Sequence, residues 1–314
     1  MLVIGDLHGD YYKLKRILEE SEIAKIIDKE DELEIEIINE EIYIVFIGDY
    51  IDWRGEDIEN PLNLEYKDIV KGTSKIVNLV SKLIDKRKNV FTLVGNHEEM
   101  MFKALKILDN IDIKDFNEIL EKASKNPYSV MRELIQKGIL EYFMIFYNWY
   151  SQGGMNTIRS FDNDIRNLLK SVSNDKLFKN LLLFVYFELE DGSRIVISHS
   201  FPDDIDCIDR IIQQRIQNDD VGLILWSRKI WGIDAFNGSR TEPLQENQII
   251  DILDKNKIKH YIVGHTRINL EPKPFQYLNG RVINVDNHGV PHSQPLFVKN
   301  LNVKSYKSME FKNL

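Results

Sequence analysis

Cysteine is nearly absent: Cys207 is the single thiol in 314 residues. One thiol excludes an intrachain disulfide and any multi-cysteine metal site, so a reducing compartment is expected. Apolar runs long enough to cross a bilayer are also missing, and no membrane partner is expected. The opening MLVIGDLHGD has only four apolar residues before Gly5, too few for a secretory core; a cytoplasmic protein is the expectation. An excess of basic residues is lacking too. A formal charge of −9 and a pI near 5.4 argue against a nucleic-acid partner, because binding a phosphate backbone needs a basic face. Fixed-period repeats and long low-complexity segments are absent, which leaves out solenoids and disordered tails.

What is present is a chain with 43% apolar side chains, enough to bury a large core. Short β-branched runs at Leu2 to Ile4, Ile42 to Ile47, Val90 to Val94, Ile195 to Ile197 and Tyr261 to Val263 read as buried strands. Helical patterns lie between the first of them, with Leu14, Ile17 and Leu18 on one face and Ile76, Val77, Val80, Leu83 and Ile84 on another. This β-α-β-α-β succession predicts an α/β fold, with helices around Asp204 to Ile216 and Glu246 to Leu253. Hairpins are expected at Asp191-Gly192 and Asn279-Gly280, and the later strands suggest a second sheet. We read one domain over residues 1–314 containing a helical insertion at 99–183, a candidate cap over the substrate. Its aromatic cluster (Tyr142, Phe143, Phe146, Tyr147, Trp149, Tyr150) reads as core rather than substrate box. The acidic run from Asp28 to Glu36 reads as a solvated loop or edge hairpin.

The metal-capable side chains all follow strand-like runs, usually beside a glycine. Asp6 and His8 follow the first strand, Asp49 the second, Asn96 and His97 the third, and His199 and His265 two later ones. Strand ends are where α/β sites assemble. Carboxylates, imidazoles and one amide oxygen suit divalent Mn, Fe or Zn, and Asp49 is the candidate bridge between two ions ~3.5–4 Å apart. A lone GDxHG is equally a turn with a capping Asp, and a lone strand-end histidine is commonly structural. GDLHG, GDYIDWRG, GNHE, Ser-His and GHT in order along one chain are poorly explained as independent accidents.

These residues resemble the calcineurin-like metallophosphoesterase superfamily, and within it the Ser/Thr protein phosphatase branch of bacterial and archaeal type, whose pattern reads GDxHG, GDxxDRG, GNHE, His, His. The similarity runs from Gly5 to Thr266, and Gly153-Gly154-Met155-Asn156-Thr157 and Trp226-Ser227-Arg228 also resemble segments of such members. The resemblance implies a sandwich of two mostly mixed sheets flanked by helices. It implies two divalent ions, Mn first and Fe or Zn as alternatives. Asp6, His8 and Asp49 would hold one; Asp49, Asn96, His199 and His265 would hold the other. A metal-activated water would attack phosphorus in line, His97 would protonate the leaving group with Asp52 orienting it, and Arg54 and Arg228 would bind the phosphoryl oxygens. The sequence departs from the pattern in two places: Trp53 intervenes between Asp52 and Arg54, and Val94 stands where the branch usually has Arg before GNHE. The expected substrate is a phosphoprotein, with a dinucleoside polyphosphate or other small phosphoester as the alternative, for which Trp53 and Trp231 are candidate base platforms. His260, His288 and His292 are read as structural by default, with His288, in DNHG after a strand, the one of the three expected to come nearest the pocket.

Overall fold

The computed structural model describes residues 1–29, 32–53, 65–108, 119, 122, 126–235, 237–299 and 301–311. Strands β1 (Leu2–Ile4), β4 (Ile44–Phe46) and β5 (Val90–Leu93) are parallel neighbours. β1 and β4 are continuous apolar runs and β5 is apolar but for Thr92, as strands buried on both faces require. The crossover helices are Tyr11–Glu20 and Gly72–Lys86, and their buried faces carry Leu14, Ile17 and Leu18, and Ile76, Val77, Val80 and Leu83. Asp10 caps the first helix by accepting the Lys13 N–H at 3.0 Å, one of the donors that a helix start leaves unpaired.

The strands β2 (Ala24–Lys29) and β3 (Glu32–Ile37) form a separate antiparallel hairpin, which accommodates the acidic run. The hairpin turning at Asp191-Gly192 is present as β6 (Leu181–Leu189) and β7 (Arg194–Ser198). The one at Asn279-Gly280 joins β9 (Phe275–Tyr277) to β10 (Val282–Asn284). The α/β class and the flanking helices are as expected, but the second sheet is not separate. With β8 (Ile258–Val263), β11 (Leu296–Phe297) and β12 (Val303–Glu310), the later strands continue the first sheet in the order β11-β1-β4-β5-β6-β7-β8-β10-β9, with β12 on β6.

The physical reason lies in β6. Its first residues, Leu181 and Leu182, pair with parallel β5, and the rest pairs with antiparallel β7 and β12. One strand therefore joins the two halves. Val3, Val45, Ile47, Phe91, Phe187, Ile195, Ile262 and Ile283 form a core built from strand residues of both halves. A sheet face covered only by other strands of the same sheet means that the sheet has curled onto itself, so the two-layer packing is real while the hydrogen bonding is continuous.

The stretch read as an insertion opens inside a helix, Asn96–Ile107, and continues through Leu140–Trp149, Met155–Ser160 and Ile165–Asn174 among its described residues. Of the aromatic cluster, Phe143, Phe146 and Trp149 are fully buried and Tyr147 and Tyr150 pack half-buried against them, so these five are core, whereas Tyr142 is exposed.

Candidate metal centre

The C-terminal ends of β1, β4, β5, β7 and β8 converge, and the loops that follow them carry the predicted ligands. His8 sets its Nδ1 against the Ile51 carbonyl at 3.2 Å, leaving Nε2 directed at Asp49 Oδ2, 3.6 Å away. His199 Nδ1 faces the Ile47 carbonyl at 2.9 Å, and its Nε2 lies 3.0 Å from Asn96 Oδ1 and 3.5 Å from Asp49 Oδ2. His265 Nδ1 comes to the same Asn96 oxygen at 2.9 Å, and its backbone N–H donates to Asp6 Oδ2 at 3.0 Å. Ligand atoms of Asp49, His199 and His265 lie within 4.8 Å of one another, as do those of His8, Asp49 and His97.

The chemistry of these contacts fits cations. When His199 is neutral its Nδ1 proton goes to Ile47, so Nε2 presents a lone pair to oxygens that cannot donate. Relief requires an extra proton or a cation. Burial disfavours charge on His199, but Asp49 outweighs it and lifts its pKa to about 9. Burial also opposes charge on Asp49, yet the surrounding histidines hold it well below the usual carboxylate range. Asp6, wholly buried, is pushed well above that range by burial and by Asp286, and its Oδ1 has no hydrogen-bond partner among the described residues. A buried carboxylate oxygen without a donor is costly unless a cation coordinates it. All six predicted ligands are therefore brought together.

Two loops of this site are stapled by Glu98, the last residue of GNHE. Its carboxylate accepts the Gly95 and Asp49 N–H groups on Oε2 and the Tyr50 N–H on Oε1, each at 2.9 Å. Burial and then Asp49 raise its pKa to about 7.

Beside the ligands stands His97, whose N–H donates to Asp49 Oδ1 at 3.1 Å and whose Nδ1 lies 2.8 Å from Asp52 Oδ2. Asp52 is held in turn by the Trp149 indole N–H, 3.1 and 3.0 Å from its two oxygens. Thr157 donates its hydroxyl to Asp52 Oδ1 at 2.6 Å and accepts the Asp52 N–H at 3.0 Å. Burial raises the pKa of Asp52, while the bonds from His97 and Thr157 pull it back. The GGMNT segment makes this seat. Gly153, at φ 118°, lies where a Cβ would come 2.6 Å from the Asp52 carbonyl oxygen, and Asn156 donates to the Trp53 carbonyl at 2.8 Å.

A cavity of about 110 Å³ is lined by His8, Asp49, Trp53, Asn96, His97, Arg228, His265 and His288. Arg228 reaches it, with Nε donating to His265 Nε2 at 3.0 Å. Arg54 lies outside the described residues. Val94 is buried in the core. Trp53 lines the cavity, whereas Trp231 packs edge-on against Phe275 and Tyr277, with centroids 6.0 and 5.9 Å away. His288 lines the cavity, as its place in a strand-end DNHG suggested. Sequence reasoning missed the roles of Trp149, Thr157 and Glu98, although all three lie inside segments that it singled out.

A profile of the calcineurin-like phosphoesterase family matches residues 1–268, and no curated protein matches the chain significantly. The chain belongs to the calcineurin-like phosphoesterase family, which makes it a metal-dependent phosphoester hydrolase.

Proposed function

We propose that the protein removes phosphate from phosphoserine and phosphothreonine side chains of proteins, using two divalent ions, with Mn as first choice. Asp6, His8 and Asp49 would hold one ion and Asp49, Asn96, His199 and His265 the other. Bound ions would supply the positive charge that acidifies water and neutralises phosphoryl oxygens.

The observation that carries the hydrolytic reading is the 2.8 Å bond between His97 and Asp52 at the wall of the cavity. With Nδ1 committed to Asp52, Nε2 is the atom that gives its proton to the departing alkoxide. A purely structural metal site needs no such donor. Arg228 is the described cation placed to bind a phosphoryl group.

The cavity suits a phosphoryl group rather than a nucleobase. A groove of about 630 Å³ adjoins it at Arg228 and runs past Asn148, Gln152, Asp203, Asp219 and Trp226. An open groove that meets the cavity at Arg228 has room for the chain flanking a phosphorylated side chain, and this favours the protein-phosphatase reading over a dinucleoside polyphosphate. The groove also gives the helix Leu140–Trp149 and its successors the role of shaping substrate access.

The test is phosphate release by chelator-stripped, Mn-reconstituted protein from a phosphoserine or phosphothreonine peptide, beside a dinucleoside polyphosphate and the His97→Asn variant. Metal-dependent release from the peptide that the variant loses supports the proposal. Turnover of the dinucleotide alone would overturn the substrate assignment and leave the hydrolytic chemistry standing.

A further inference from the structure

Beyond β10 the chain passes directly over the first motif. Gly5 permits this: a Cβ there would lie 2.1 Å from the Val285 carbonyl oxygen. Lys13, buried beneath, ties the two segments by donating to the Asp6 carbonyl at 3.0 Å and to Asn287 Oδ1 at 3.1 Å. The next side chains are thereby delivered to the metal centre. Asp286 is 4% exposed, and its Oδ1 accepts the His288 N–H at 3.1 Å and meets His288 Nδ1 at 2.6 Å. The backbone bond alone suffices to close this turn, so the ring contact is an addition. The His288 ring lies 4.8 Å from the His8 ring, which is itself 4.8 Å from His97 on its other side. His8 is thus flanked by two histidines, each paired with a buried aspartate.

Ligand atoms of Asp6, His8 and His288 lie within 4.8 Å of one another, and Asp6 Oδ1 is without a hydrogen-bond partner among the described residues. We propose that His288 is a further protein ligand of the ion held by Asp6, His8 and Asp49, binding through Nε2. Asp286 engages Nδ1, which fixes the tautomer that turns the Nε2 lone pair outward, as carboxylates do behind metal-bound histidines. A second imidazole on this ion tilts its preference away from Mg and Ca and toward Fe or Zn.

The inference rests on the two-ion reading, and its test separates the two. Chelator-stripped protein is titrated with Co²⁺, followed by calorimetry and by the visible absorption of the bound ion, for wild type, His288→Ala, His288→Gln, Asp286→Asn and His199→Ala. Circular dichroism reports folding, and the bulkier glutamine variant stands in should alanine disturb the loop. Two ions are expected on wild type. Asp286→Asn should weaken one of them about 10–100-fold, and both His288 variants at least as much with an altered spectrum, while the other ion is unaffected. His199→Ala should weaken the ion that the His288 variants spare. Unchanged affinities and spectrum in both His288 variants would overturn the proposal while leaving the dinuclear centre intact. Fewer than two ions on wild type, or no effect of His199→Ala, would overturn the two-ion reading and this inference with it.

Discussion

His8, Asp49, Asp52 and His265 hold their backbones at φ 43°, 51°, 69° and 66°, a left-handed region that costs L-residues about 1–2 kcal/mol each. The strain turns the chain sharply after each strand and aims short side chains at one point. Because asparagine tolerates this region, Asp52→Asn removes the charge without changing the strain. It should lower kcat about 10²–10⁴-fold, as should His97→Asn, with both ions retained by metal analysis. Trp149→Phe keeps most of the ring and deletes one donor to Asp52, a bond to a charged group worth about 1.5–3 kcal/mol. A lower melting temperature and a shifted pH profile for kcat are expected; an unchanged pH profile would separate Trp149 from the proton donor. The candidate ligands were legible in the sequence because each lies in a short turn just after a strand. Trp149 and Thr157 were not, because their partner Asp52 lies about a hundred positions away and nothing local marks the meeting.

Short elements carry the site as much as single residues do. The bend at Tyr150–Gly154 brings Trp149 and Thr157 to one carboxylate, where both donate to Oδ1. Gly153→Ala would force a methyl group onto the Asp52 carbonyl at an unfavourable φ, and we expect a loss of at least about 1–3 kcal/mol, read by denaturant unfolding, together with reduced kcat. The helix Asn218–Trp226 ends two residues before Arg228 and is held by Asp220. That residue accepts the Gln217 N–H at 2.9 Å and pairs with Arg210 at 2.6 Å. Burial opposes charge on Asp220, but the bonds from Arg210 and the Gln217 N–H win and depress its pKa below 3.8. Its stabilisation is therefore present above that ordinary value and is lost as pH falls through the lower folded one. Asp220→Asn should reduce stability at pH 7 and flatten acid unfolding below pH ~4; an identical acid limb in both proteins would contradict the pairing. The presence of this helix was not read from the sequence, since its Val-Gly-Leu-Ile-Leu-Trp run lacks a clear polar face.

Across the whole molecule, the buried carboxylates Asp6, Asp49 and Asp286 and the histidines between them are brought together by one sheet that runs through both halves of the chain. Ligand binding to the folded state alone adds stability by mass action, about 2.7 kcal/mol at a hundred times Kd. Chelation should therefore lower the melting temperature, and Mn should restore it in a concentration-dependent manner; a melting temperature indifferent to both would exclude the centre from the folding energetics. The alternation of strands and helices was legible because hydrophobic period is local. That β6 joins both halves was not, because the pairing that joins them sets Leu181 beside Thr92, far earlier in the chain, and nothing local specifies it. The indole bond to Asp52 has one more consequence. Of the four tryptophans, Trp149 is in direct contact with the carboxylate that orients the proton donor, so its emission responds to the charge there. The protein carries an optical reporter of its own acid catalyst, readable without a label by subtracting the spectrum of Trp149→Phe from that of the wild type.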